Sequence, residues 1–155
     1  MARALLALLI CLMILPGAAH AVAQGLKREK MVIVTATGTH EFLVEIADTR
    51  AARTQGLMFR RSLGPREGML FFYDKEQPIS MWMRNTYIPL DMVFIRADGT
   101  VHRIETDTEP FSERIIASGA PVLSVLEVHA GTAREIALKP GDRIEHRRFH
   151  ASTKP

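Results

Sequence analysis

Two carboxylates stand in strand-like runs that are otherwise apolar. In Leu90-Asp91-Met92-Val93-Phe94-Ile95, a period of two places Leu90, Met92 and Phe94 on one face and Asp91, Val93 and Ile95 on the other. In Pro121–His129, Glu127 likewise ends the row Leu123, Val125, Glu127. A carboxylate at the edge of an apolar face is partly desolvated, so it must pair with a cation, accept hydrogen bonds or hold a raised pKa. Acting together, the two could serve as general acid and base on a cell-envelope glycan, with carboxyl groups roughly 5–10 Å apart across a cleft. Acting singly, each would cap a turn or pair with Arg60, Arg84 or Arg134.

Methionine and tryptophan supply the other candidate chemistry. Met58, Met69, Met81, Met83 and Met92 crowd between positions 58 and 92, and Met81 and Met83 share one strand face. Paired thioethers select Cu(I) where cysteine is absent, while methionine also fills irregular gaps in a core. Trp82 is the only tryptophan and stands beside Arg84-Asn85. On a half-open face it would stack on a flat ligand, with Arg84 and Asn85 bonding the ligand's edge. The chain has no Gly-x-Ser-x-Gly elbow, P-loop, dinucleotide fingerprint or His-Glu-x-x-His. Apart from the copper and glycan alternatives above, nothing in it calls for a cofactor, a bound metal or a catalytic residue.

These residues belong to a chain that reads as exported. Residues 1–23 have a basic start at Arg3, an apolar run from Ala4 to Leu15, a Pro16-Gly17 break and small-x-small cleavage sites ending at Ala21 or Ala23. This is the layout of a secretory signal peptide, and its apolar run is shorter than the ~20 residues that span a bilayer. Kept uncleaved, it would serve as an anchor; once it is removed, no integral membrane segment remains. The single cysteine, Cys11, leaves with it, which suits a periplasmic or secreted protein and excludes thiol chemistry and Cys-ligated metals. Of 20 Lys plus Arg, removal of Arg3 leaves 19 against 17 acidic residues. That balance, with one short basic tail (Arg143, His146, Arg147, Arg148, Lys154) reading as a solvated end, argues against nucleic-acid binding.

The elements that must position these groups are short strands. Residues 24–30 read as a flexible lead-in and 31–150 as one domain. Runs at 31–36 and 40–47 form a hairpin, Asp48 or Thr49 caps a short helix ended by Gly56, and Gly64-Pro65 marks a loop. Strand-like runs follow at 68–73, 79–84, 90–95, 100–106 and 121–129, with Asp98-Gly99 as a hairpin turn. A second short helix falls near 131–138 and a last strand at 143–149. Runs 68–73, 90–95 and 121–128 are apolar on both faces and belong in the middle of a covered sheet. The expectation is a mainly β sandwich or barrel with two short helices.

Gly56-Leu57-Met58-Phe59-Arg60, Gly68-Met69-Leu70-Phe71, Met81-Trp82-Met83-Arg84-Asn85-Thr86, Ile88-Pro89-Leu90-Asp91-Met92 and Leu126-Glu127-Val128 with Gly131 form an ordered series. From Val32 to Phe149 the chain closely resembles the DUF192 (UPF0127) family of exported or membrane-tethered bacterial and archaeal proteins. The resemblance implies a jelly-roll-like β fold and no assigned activity. It also marks Arg60, Asn85, Asp91 and Glu127 as one polar cluster. The family motif usually carries Phe where Ser80 stands and Lys where Arg84 stands. The resulting expectation is a non-catalytic domain that binds a small molecule, or serves an envelope protein, through Arg60, Trp82, Arg84, Asn85, Asp91 and Glu127.

Overall fold

The computed structural model describes residues 25–149; the signal-peptide reading of residues 1–23 and Lys154 lie outside them. Strands β1 (Arg28–Thr35) and β2 (Gly38–Ala47) form the expected hairpin. Helix α1 (Arg50–Gln55) starts at Thr49, whose hydroxyl accepts from the Ala52 N–H at 3.1 Å, and stops at Gly56. Strands β3 (Glu67–Met81), β4 (Leu90–Ile95), β5 (Val101–Thr108) and β6 (Ile116–His129) follow, then α2 (Thr132–Glu135) and β7 (Arg143–Glu145). The chain is thus mainly β with two short helices, in one seven-stranded sheet ordered β5-β4-β6-β3-β2-β1-β7.

The runs that are apolar on both faces occupy the centre, as β4, β6 and β3, and all six residues of β4 are buried. Elsewhere the pattern of breaks misleads. The runs at 68–73 and 79–84 are one strand up to Met81, because the polar stretch between them bulges between Phe72 and Gln77 instead of ending the pairing. Backbone hydrogen bonding is indifferent to side-chain polarity, and an irregularity lets the ladder with β6 resume. That shift also splits the expected row on β6: Leu123 packs into one core and Val125 into the other. The flexible lead-in is shorter than expected, since Arg28–Lys30 pair with β2. The basic tail is not a free end either. Arg147 donates to Glu29 at 2.7 Å and Arg148 to Asp48 at 2.6 Å.

The sheet curls into a half-barrel whose two edge strands touch. The Val101 N–H donates to the Asp142 carbonyl and the Ile144 N–H to the Gly99 carbonyl, both at 2.8 Å. Inside the curl lies a core drawn from all seven strands, including Phe42, Leu70, Val93, Leu126 and Ile144. Against the other face lie three connections between parallel strands: residues 48–66, 82–89 and 109–115. They cover a second core around Met69, Phe71, Met92, Phe94 and Val125, and they are stitched to one another. Phe59 N–H donates to Asn85 O (2.8 Å), Met83 N–H to Ser112 O (2.9 Å) and Phe111 N–H to Thr86 O (3.2 Å).

Edge closure depends on Gly99, which has φ +86° and no room for a Cβ against the Ile144 carbonyl. Gly99→Ala should lower stability by about 2 kcal/mol or more, from φ strain plus forced separation of β5 and β7. Urea denaturation with an unchanged m-value is the expected readout; an unaltered midpoint would show that the edge contact carries no weight.

Candidate functional site

The candidate site is built around Glu127. In the ladder it lies between Met69 of β3 and Met92 of β4, on the same face as both. It is 4% exposed, and its carboxyl has no hydrogen bond or ion pair among the described residues. Burial alone, uncompensated by any cation, pushes its pKa up to about 8. At neutral pH this group is therefore mostly a protonated acid.

Glu127 faces a cavity of about 260 Å³ between β3, the end of α1 and the connection that begins at Trp82. Gly56 lets the end of α1 approach: its φ is +48°, and an added Cβ would lie 3.1 Å from the Phe71 ring, which itself lines the cavity. Arg53 also lines it, but its guanidinium donates to the carbonyls of Asp48 (2.6 Å) and Phe72 (2.7 Å) and stacks 4.7 Å over Tyr73. Burial raises the Tyr73 phenol's pKa, with Arg53 opposing and Glu127 reinforcing the shift. Trp82, 42% exposed, forms part of the rim with Ser80 and Met81, and Arg84 stacks 4.7 Å from its ring.

Of the six residues singled out from sequence, Trp82 and Glu127 meet in this cavity and Arg84 steadies Trp82 from outside while pairing with Glu113 at 3.2 Å. The other three do not join them. Arg60 makes a two-pronged ion pair with Glu45, at 2.7 and 2.6 Å. Asn85 contributes backbone: it holds φ +54°, which asparagine tolerates, while its carbonyl receives the Phe59 N–H. Asp91 is wholly buried on the opposite sheet face from Glu127, because it pairs with Val128 rather than with Glu127. Its two oxygens accept the N–H groups of Asp107 (3.0 Å) and Ala133 (2.8 Å), tying the end of β5 to the start of α2. The two carboxyls therefore cannot share a cleft, and the acid/base pairing of Asp91 with Glu127 is withdrawn.

The two methionines weighed for copper also take different surroundings. Met83 is buried and its sulfur accepts from the Thr108 hydroxyl at 3.2 Å, whereas Met81 lines the cavity. Among the described residues no three His, Cys, Asp or Glu side chains are grouped to share an ion. Sequence reading missed Arg53, Gly56, Phe71 and Tyr73 as site residues. Tyr73, the one polar-tipped aromatic ending the run 68–73, was the available signal.

The DUF192 family, described as an uncharacterized ACR, matches residues 32–146, and the chain belongs to it. Similar solved structures include the following two. One is a protein from Sinorhizobium meliloti 1021 labelled a candidate transcription regulator, with 47% identity and a TM-score of 0.76, covering 78% of this chain and 95% of that one. The other is a protein of unknown function from Novosphingobium aromaticivorans DSM 12444, with 39% identity and a TM-score of 0.77, covering 83% and 91%. No curated protein matches.

Two measurements test these assignments. Glu127 binds its proton more tightly in the folded chain than at the ordinary value of 4.5. Its contribution should therefore be fully present below pH 4.5, decline by up to ~1.4 kcal/mol per pH unit and level off above pH 8. Glu127→Gln should remove that slope and be more stable than the parent at pH 7, by ~3 kcal/mol at most; parallel pH slopes would refute the burial argument. Asp91→Ala, which strands the buried Ala133 N–H and frees the more exposed Asp107 N–H, should lose on the order of 2 kcal/mol in urea denaturation, and Asp91→Asn about half of that.

Proposed function

We propose that this protein is an exported, non-catalytic domain that binds a small molecule in the Glu127 cavity. The observation that carries the reading is the cavity's floor: a carboxyl 4% exposed, without a partner among the described residues, facing a concavity lined by Trp82 and Tyr73. A buried group left unpaired costs stability, so its presence favours a role for it in binding. The leader at residues 1–23 and a remainder free of cysteine support export to the periplasm or medium. The label of the S. meliloti relative suggests nucleic acid. Against that, Arg28, Arg60, Arg66, Arg103, Arg114, Arg147 and Arg148 are each engaged with a carboxylate here.

Ser80 stands at the rim of the cavity, where a larger side chain would occupy part of the opening. Native mass spectrometry of the untagged protein from its own envelope or medium should show a chain beginning at Val22 or Gln24 with an organic mass retained. That mass should be lost in Ser80→Phe and Trp82→Ala while both variants stay folded. Retention of the same mass by Ser80→Phe would place the ligand elsewhere, and an apo mass throughout would count against the binding reading.

A further inference from the structure

The Glu127 cavity is built for charge of one sign. Its floor is a carboxyl, so an anion entering it would meet repulsion once that group ionises. Among the described residues the one cationic side chain in its lining, Arg53, is already committed to two backbone carbonyls and to Tyr73. Met92 of β4 and Met69 of β3, the ladder neighbours of Glu127, bring no charge. The rest of the lining, which includes Phe71 and Trp82 and the polar side chains of Thr54, Gln55, Ser80 and Thr86, carries no charge. Among the described residues Glu127 is the one carboxylate in the lining, and no three His, Cys, Asp or Glu side chains are grouped there to share an ion.

We propose that the ligand of this cavity carries a small organic ammonium group, held over the aromatic rings with Glu127 as its counterion; the inference rests on the small-ligand reading above. Weakly hydrated cations are attracted to the faces of Trp and Tyr, and a buried carboxylate supplies the opposite charge where water screens it less than at the surface. The size agrees. A volume of about 260 Å³ holds roughly nine waters' worth of liquid, enough for a tetraalkylammonium head and its short stem but not for a bulky cofactor. Trp82 and Tyr73 are each held by a stacked arginine, so the rings are in place before the ligand arrives.

The test compares two probes of the same shape, tetramethylammonium chloride and neutral 2,2-dimethylpropanol, by Trp82 fluorescence and calorimetry at constant ionic strength. Tetramethylammonium does not titrate, so any pH dependence belongs to the protein. Its affinity should rise on the order of 100-fold from pH 6 to pH 9, as the fraction of ionised Glu127 rises. Glu127→Gln should lose tetramethylammonium by at least tenfold while keeping the alcohol, which also shows that the variant's cavity is intact. Equal affinity for both probes, or unchanged tetramethylammonium binding in Glu127→Gln, overturns the ammonium assignment and leaves the small-ligand reading standing. Binding of neither probe overturns both.

Discussion

The β3–β6 ladder is the constraint on which the rest of the molecule depends. It runs from Gly68 opposite Val128 to Met81 opposite Ile116, and both faces of its first half are buried. A ladder covered on both sides must satisfy its backbone groups internally, so its register is held by hydrogen bonds as well as by two cores. That register places Glu127 between Met69 and Met92. A slip of one residue would move Glu127 to the face where Asp91 now sits and bring Leu126 or Val128 into the cavity floor.

The covering layer follows from the strand order. β2 and β3 run parallel, and β4 and β5 return beside strands that also require crossovers, so three connections must cross the same face. None of the three contains a helix longer than α1's six residues. Their backbone groups are satisfied instead by one another, and the geometry places Phe59, Asn85 and Phe111 at φ values of +63°, +54° and +63°. A left-handed Phe is uncommon. Here two of them flank Tyr87, with ring centroids 6.4 and 5.2 Å away, so the loops are fastened by exposed aromatic contacts as well as by hydrogen bonds.

The two buried carboxyls show how differently one chemical group can be used. Asp91 accepts two backbone N–H groups and joins two segments. Glu127 has no such donors among the described residues, and burial raises its pKa. The first arrangement is architectural. The second leaves an interaction unmade, and a group of complementary charge brought into the cavity would complete it.

The sequence by itself determined the strand character of the central runs, the α1 cap at Thr49, the turn at Asp98-Gly99 and the opposite facing of Asp91 and Met92. These follow from alternation, capping and turn chemistry, which act over a few residues of chain. It did not determine that 68–73 and 79–84 are one strand, nor that Arg28–Lys30 and the arginines of the tail pair back onto the fold. Each of those rests on a partner distant in sequence. The same holds for the site. Glu127 and Trp82 were legible as unusual residues, but only the tertiary structure set them around one cavity with Tyr73 and sent Asp91 to the other side. The reason is register: alternation says that two residues of one strand face opposite ways, while which residue of a second strand shares a face with either is decided by long-range pairing.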